Sequence, residues 1–173
     1  MLNILVKDEK PHILCITETW CNPSISNAML NIDNYFIDDD LRCDRYDTAG
    51  GIGGGLLVYV RNDIVVKALP KVSKFNQYCK FQLLSFNDYD PLTITLVYRS
   101  PNSSDDNTML LADLVDNCEK KSLIIGDFNL PNMNISSDIS DKKGRPVLDA
   151  INRRFLENSV QFPTHIRGNI LDL

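Results

Sequence analysis

The chain has 173 residues, of which 43% are hydrophobic and 24% charged, and these values are near globular averages, so composition does not favour general disorder. The formal net charge of -5 is unfavourable for broad attraction to phosphates, although a site that holds divalent cations must itself be rich in carboxylates. No apolar run reaches the roughly 18 residues that span a bilayer, and the amino terminus lacks a secretory signal, so we expect neither membrane insertion nor secretion.

The chain is expected to open inside a helix and to continue as a strand. Apolar side chains among the first residues share one helical face, and Pro11 stops that helix. Residues 13–16 are an uninterrupted apolar run, which is typical of a strand covered on both faces. Glu18 follows directly at the exit of this predicted strand.

The middle of the chain is predicted to consist of strands. A glycine-rich turn at residues 50–55 leads into a run of β-branched and aromatic residues at 56–60. Two further strands are predicted at 81–86 and 92–98. The glycines are not followed by the Lys-Ser or Lys-Thr of a phosphate-binding loop, and the next element is a strand, so a flexible turn is the better interpretation.

A helix and a strand are predicted next. Apolar residues recur at helical spacing over 110–118, with Asp106 or Thr108 available to cap the helix start. A buried-strand pattern at 122–125 then ends abruptly in the polar sequence 126–129.

The last elements are a helix and the beginning of a strand. The helix covers Val147 to Phe155, with Pro146 suited to its first turn, and a strand begins at 169–173. Strands that alternate with helices predict packed α/β layers. Without an internal repeat or a linker, residues 1–173 are expected to form a single domain.

The five cysteines are odd in number, widely spread and free of any Cys-x-x-Cys pair. This distribution argues against a disulfide framework and against a zinc ribbon. We therefore expect reduced thiols in an intracellular protein. A serine hydrolase is disfavoured because the sequence lacks a Gly-x-Ser-x-Gly motif, and a zinc enzyme because it has few ligands, with only 2 histidines.

Polar side chains follow three predicted strands at the points where these strands end. They are Glu18, the pair Tyr98 and Arg99, and the pair Asp127 and Asn129. Ligands gather at strand ends in layered α/β folds, and clustered carboxylates repel one another unless a cation such as Mg²⁺ neutralises them. Taken singly, a residue of this type at a strand end is more often a solvated turn residue than a catalytic one.

Five sequence segments carry a family resemblance. Residues 16–20, 98–101 and 126–129 resemble, in order and setting, the endonuclease/exonuclease/phosphatase family. More narrowly, the chain resembles the apurinic-type endonuclease domain of non-LTR retrotransposons, and residues 162–164 with 169–173 resemble the distal part of that domain. The resemblance implies a layered α/β sandwich of this type that cleaves DNA with Mg²⁺, or Mn²⁺, and leaves a 3′-hydroxyl. It also implies a reverse transcriptase domain in the full-length parent and access to the nucleus.

The resemblance assigns roles to individual residues. Glu18 is expected to ligate the metal, and Asp127 to position or deprotonate the attacking water. Asn129 is expected to help hold the scissile phosphate and to orient Asp127, while Tyr98 contacts the phosphate or the developing charge. Arg99 is expected to bind substrate. These roles supply the placed water and the charge compensation that in-line attack on a phosphodiester requires.

The chain also departs from the family pattern at both ends. Asp172 matches a carboxylate that orients a catalytic His further on, and the Ser-Asp-His segment that carries this His is expected to be missing. The first strand of the family, which carries an Asn at the metal site, is also expected to be missing. Loss of such groups costs about a hundredfold or more in rate, so little activity is expected from residues 1–173 alone.

Two other functions remain open from the sequence. The chain is alternatively a catalytically inactive remnant that serves as a binding module. A second alternative is a phosphatase of the same superfamily that acts on a phosphoinositide or another phosphoester. The sequence gives no indication of oligomeric state.

Overall fold

Three helices and eight strands form in the parts of the chain that the computed structural model describes, which are residues 2–45, 53–84, 91–165 and 169–173. In chain order the elements are α1 Leu2–Glu9, β1 Ile13–Thr17, β2 Tyr35–Phe36, β3 Arg42–Cys43, β4 Leu56–Arg61, β5 Val66–Ala68, β6 Tyr78–Leu83, β7 Leu92–Tyr98, α2 Asp105–Asp116, β8 Ser122–Asp127 and α3 Arg145–Arg153. Two short 3₁₀ helices lie at Asn27–Leu30 and Asp39–Leu41.

The first sheet is built around β4. The strand order is β1-β4-β2, and β3 also pairs with β4, all antiparallel. Residues 56–60 of β4 are all buried, as their β-branched and aromatic pattern predicts. Because Thr17 pairs with Leu56, the exit of β1 lies beside the glycine-rich entry to β4.

The second sheet has the order β5-β6-β7-β8, in which only β7 and β8 run parallel. A parallel pair requires a crossover, and α2 lies between these two strands in the chain. Tyr98 pairs with Asp127, so β7 and β8 end side by side at the same edge. This register brings two of the predicted polar strand ends together.

Two sequence-based expectations about strand burial are wrong. The residues of β1 are only half-buried, and Leu123 of β8 is 41% exposed. Among the described residues, β1 and β8 are each the last strand in the order of their sheet, so each pairs with a neighbouring strand along one edge only. Apolar runs of this length predict strands correctly, but they do not distinguish central from edge positions.

The two sheets pack face to face, with helices on the outside of the second sheet. The cluster between the sheets consists of Leu41, Cys43, Leu56, Val58, Val60, Ile64, Cys79, Phe81, Ile94, Leu96 and Tyr98. Helices α2 and α3 pack on each other, and their cluster includes Tyr78 and Val97 of the second sheet. Val6 of α1 joins Leu57 and Tyr59 on the outer face of the first sheet. The predicted layered α/β sandwich is confirmed.

Helix starts follow local capping chemistry. Ser104, and not Asp106 or Thr108, caps α2, because its Oγ accepts from Asn107 N at 3.1 Å while its backbone is still extended. Thr108 lies inside the first turn, where its hydroxyl donates to Ser104 O. Pro146 occupies the first turn of α3 as predicted.

Some expectations lie outside the described residues. These are the turn at Gly50 and Gly51 and the end of the predicted strand at residues 85–86. In the described parts of the chain, none of the helices combines the length and apolar character that a bilayer crossing requires. The five cysteines, all within these portions, form no disulfide.

Candidate active site at the strand ends

Glu18 accepts three hydrogen bonds at the exit of β1. Its Oε1 accepts from the Tyr98 hydroxyl, and its Oε2 accepts from Trp20 Nε1 at 2.7 Å and from Gly54 N at 2.6 Å. The bond from Tyr98 joins the first sheet to the end of β7 in the second. The predicted convergence of these strand ends is therefore confirmed.

The environment of Glu18 keeps its carboxylate ionised. Burial acts to raise its pKa, but the hydrogen bonds from Tyr98, Gly54 and Trp20 outweigh burial, so the pKa of Glu18 lies below its ordinary value. Burial and the bond to Glu18 raise the pKa of Tyr98, whose hydroxyl remains a proton donor. Glu18 is thus a fixed negative charge at neutral pH.

Glycines allow the two loops beside Glu18 to approach closely. Gly55 has φ +93, and a Cβ there would lie 2.4 Å from Thr19 Oγ1. A Cβ at Gly53 would lie 3.3 Å from Glu18 Oε2. Trp20 N donates to Gly54 O at 2.9 Å, which fastens the loop after β1 to the entry of β4. A side chain at Gly55 would therefore require Thr19 to move and would be strained by the positive φ.

Asp127 and Asn129 form the second half of the site at the end of β8. Asp127 Oδ1 accepts from Asn129 N at 3.0 Å, and Asp127 Oδ2 accepts from Asn129 Nδ2 at 2.7 Å. Asn129 adopts a left-handed backbone with φ 47, a conformation that Asn tolerates better than most residues. Its Nδ2 also donates to Arg99 O at 2.9 Å, so both amide hydrogens have partners.

The pKa of Asp127 is shifted opposite to that of Glu18. Burial raises it to about 6, and the nearby charges of Asp172 and Glu18 add to this effect, although hydrogen bonds from Asn129 oppose it. Two carboxylates whose pKa values are pushed apart commonly divide the roles of fixed charge and proton acceptor. The arrangement can therefore hold one permanent charge and accept a proton near neutrality.

Arg99 lies beneath the site and not on its surface. The side chain is fully buried, and its guanidinium donates to Asn129 O at 3.1 Å, Thr108 Oγ1 at 3.1 Å and the carbonyls of Ser100 and Ser103 at 3.3 Å each. Burial lowers its pKa. A guanidinium enclosed in this way offers no surface to a substrate, so the structure lends no support to the expected substrate contact of Arg99, which stays a prediction. It holds the loops after β7 and β8 together.

Asp172 lies next to Asp127 through backbone pairing. The two residues form an antiparallel bridge, flanked by the bonds Phe128 N to Leu171 O at 2.8 Å and Gly126 N to Leu173 O at 3.2 Å. The predicted strand beginning at 169–173 thus forms one bridge on β8. Thr164 Oγ1 accepts from the backbone N–H of Asp172 at 3.2 Å and orients this segment.

Sequence reasoning missed two contributors, Trp20 and Gly54, which both bind Glu18 Oε2. Trp20 lies in the segment 16–20 that carries the family resemblance. Its hydrogen bond to Glu18 depends on a left-handed backbone, φ 55, that no residue pattern predicts. The donation from Gly54 depends on how two loops pack, which is a tertiary property. Left-handed φ values also occur at Glu18 itself and at Asn129, and such conformations are frequent at functional sites.

Glu18 and Asp127 offer carboxylate oxygens, the ligand type that a hard divalent cation prefers. Glu18 offers carboxylate oxygens with about four acceptor positions, of which three are used. The charges of Glu18 and Asp172 disfavour ionisation of Asp127, and a cation would relieve this repulsion. Over the described ranges no three His, Cys, Asp or Glu residues are grouped to hold an ion. Mg²⁺ commonly uses one or two carboxylates plus substrate phosphates.

A two-sheet α/β sandwich with paired carboxylates at its strand ends defines a class of hydrolases that act on phosphoesters. The chain belongs to the Endonuclease/Exonuclease/phosphatase family, whose model matches residues 2–172. This membership supports hydrolysis of phosphoester bonds in general. A comparison with curated proteins finds no match.

Solved structures show the same fold at low sequence identity. The endonuclease domain of TRAS1, a telomere-specific non-LTR retrotransposon, is 14% identical with a TM-score of 0.62, over 99% of this chain and 74% of that one. The AP endonuclease LMAP from Leishmania major is 15% identical with a TM-score of 0.61, over 99% and 71%. The human Nocturnin catalytic domain is 14% identical with a TM-score of 0.51, also over 99% and 71%.

Proposed function

We propose that this chain is a DNA endonuclease that hydrolyses a phosphodiester bond with Mg²⁺, or Mn²⁺, and leaves a 3′-hydroxyl. The observation that carries this proposal is the meeting of an ionised Glu18 with Asp127, whose pKa is raised to about 6, at one edge of the sandwich. Family membership supports the class of reaction, and the paired carboxylates support its mechanism.

Asp127 is the general base in this proposal. A base works best when its pKa lies near the operating pH, and the raised value of about 6 satisfies that condition. The two hydrogen bonds from Asn129 fix the carboxylate, so that Asp127 takes the proton of the attacking water from a set direction. Asn129 orients Asp127, since both of its amide hydrogens are already donated within the protein.

Glu18 is the metal ligand, and Tyr98 positions it. When bound, the cation supplies Lewis-acid polarisation of a phosphoryl oxygen and neutralises developing charge. The Tyr98 hydroxyl donates to Glu18 Oε1 and fixes this carboxylate from the opposite sheet. Asp172 adds negative charge beside Asp127, which keeps the pKa of that base raised.

We further propose a non-LTR retrotransposon as the parent of this chain. The order of the sequence segments between residues 16 and 173 that resemble this kind of endonuclease domain supports this proposal, and so does the fold shared with the TRAS1 endonuclease domain. In that setting the nick provides a 3′-hydroxyl to a reverse transcriptase of the same parent, and the protein acts in the nucleus. A reverse transcriptase encoded in the same reading frame would support this part, and a different flanking enzyme would contradict it.

A plasmid-nicking assay tests the enzymatic proposal. Supercoiled DNA incubated with the wild-type protein and Mg²⁺ is expected to relax slowly, but faster than DNA without protein, in keeping with the little activity expected from residues 1–173 alone. Asp127→Ala removes the base and is expected to lower the rate by about a hundredfold or more. Asp33→Ala is the matched control, because Asp33 is exposed and lies far from Glu18. It is close to Tyr35, which pairs with Arg61 at the opposite end of β4. This change is expected to leave the rate unchanged.

Equal background nicking by the wild-type and Asp127→Ala proteins would contradict the enzymatic proposal and support a binding module. The ends of the product provide a second measurement. DNA ligase is expected to reseal the nicks, because it requires a 3′-hydroxyl next to a 5′-phosphate. Nicks that resist sealing until a 3′-phosphate is removed would contradict the proposed polarity of cleavage.

A further inference from the structure

We propose that Trp20 forms a fixed stacking surface for a nucleobase that lies outside the helical stack beside the scissile phosphate. The inference rests on the proposed DNA hydrolysis and names the part of the substrate that this side of the site contacts. Trp20 is the only tryptophan of the chain and is 59% exposed, although it lies two residues from Glu18.

The indole of Trp20 is held in one orientation. Its single polar group, Nε1, donates to Glu18 Oε2 at 2.7 Å, and its backbone N donates to Gly54 O at 2.9 Å. The residue adopts φ 55, which is unfavourable for an aromatic residue and requires support from the surrounding structure. The edge with the N–H therefore faces the carboxylate, while much of the ring remains accessible to solvent.

A ring held in this way suits a planar partner. The orientation is already set by the protein, so binding costs little additional side-chain entropy. Aromatic side chains stack on bases with a contribution of roughly 1–3 kcal/mol each, and every base has a suitable face.

The charge of the chain favours stacking as a source of affinity. With a formal net charge of -5, the protein is poorly equipped for the counterion release that dominates binding through Lys and Arg. Stacking depends only weakly on salt. We therefore expect the affinity for DNA to fall less steeply with salt concentration than it does for basic nucleases.

Intrinsic fluorescence tests the proposal on the unsubstituted ring, because all tryptophan emission comes from Trp20. The experiment uses Asp127→Asn protein, which is expected to bind without cleaving, and a short single-stranded oligonucleotide. Stacking is expected to quench the emission and to protect the ring from acrylamide. An abasic oligomer of equal length offers the same phosphates without bases, and it is expected to bind more weakly and to leave the emission unchanged.

Two substitutions separate the ring from its N–H group. Trp20→Ala removes both and is expected to raise the Kd for the oligonucleotide about tenfold, while the Kd for the abasic oligomer stays unchanged. Trp20→Phe keeps an aromatic face but cannot donate to Glu18, so it is expected to lower kcat while KM changes by less than about twofold. Phe155→Ala is the control, since Phe155 is 91% exposed after α3 and its loss is expected to leave the Kd unchanged.

The results distinguish this inference from the function on which it rests. Cleavage and DNA binding without quenching, or equal quenching by the abasic oligomer, would overturn the stacking role and leave the endonuclease intact. An unchanged Kd in Trp20→Ala would do the same. A wild-type protein that neither binds nor nicks DNA would overturn both proposals.

Discussion

The pKa of a single residue, Asp127, is expected to control the pH dependence of hydrolysis. Its carboxylate must be ionised to accept a proton, and burial raises its pKa to about 6. The value of kcat/KM is therefore expected to rise with pH through a midpoint near 6 and to level off above it, whereas an unperturbed aspartate, with a pKa of about 4, would give a plateau throughout this range.

Added Mg²⁺ provides the internal check on that pH profile. A cation beside Glu18 favours the ionised form of nearby carboxylates, so a higher Mg²⁺ concentration is expected to move the midpoint to lower pH. The measurement is initial nicking rate against pH at two Mg²⁺ concentrations. A midpoint that stays fixed would contradict binding of the ion near Asp127.

Arg99 provides a prediction about stability at the residue scale. Its planar guanidinium reaches four acceptors from a fully buried position, and a lysine ammonium cannot reproduce that fork. Arg99→Lys is expected to lower the free energy of unfolding by roughly 2–4 kcal/mol, measured by urea denaturation. Arg145→Lys, on the surface beside Asp138, is the control and is expected to change it by less than about 0.5 kcal/mol.

The parallel pair β7 and β8 depends on one glycine. Gly126 has φ +131, and a Cβ there would lie 1.9 Å from Val97 O of the neighbouring strand. Gly126→Ala is therefore expected to cost roughly 3 kcal/mol or more in unfolding free energy, or to prevent folding, because backbone cannot move aside. At Gly144 the nearest atom is the rotatable Ser140 hydroxyl, so Gly144→Ala is expected to cost clearly less.

Part of the fold and site could be predicted from the sequence. The pattern of apolar residues is a local signal, and it predicts β4, β7, α2 and α3. Polar residues that directly follow a predicted strand, such as Glu18 and Asp127, can be recognised once the strand is predicted. The edge position of β1 depends on which strands pair, and the burial of Arg99 depends on where the loop carbonyls lie. Both are tertiary properties. The local sequence beside Tyr98 is therefore the same whether Arg99 faces a substrate or the protein interior.

At the scale of the whole molecule, packing between the sheets sets stability. Phe81 is fully buried in the cluster that joins them. Phe81→Ala is expected to cost roughly 3–5 kcal/mol in unfolding free energy through lost apolar burial and the cavity left behind. Phe36 on β2 is 38% exposed, and Phe36→Ala is expected to cost clearly less in the same urea titration. Equal costs would contradict the assigned packing.

The hydrogen bond from Tyr98 to Glu18 joins residues 80 positions apart in the chain. Contacts at such separation are expected to form later than local ones, since the entropy of closing a long loop must be met before they add stability. Neither half of the polypeptide can therefore assemble the candidate site alone, because Glu18 and Tyr98 lie in different sheets. If the proposed hydrolysis is correct, recovery of activity after denaturation is expected to report docking of the two sheets, an event that regain of secondary structure does not register.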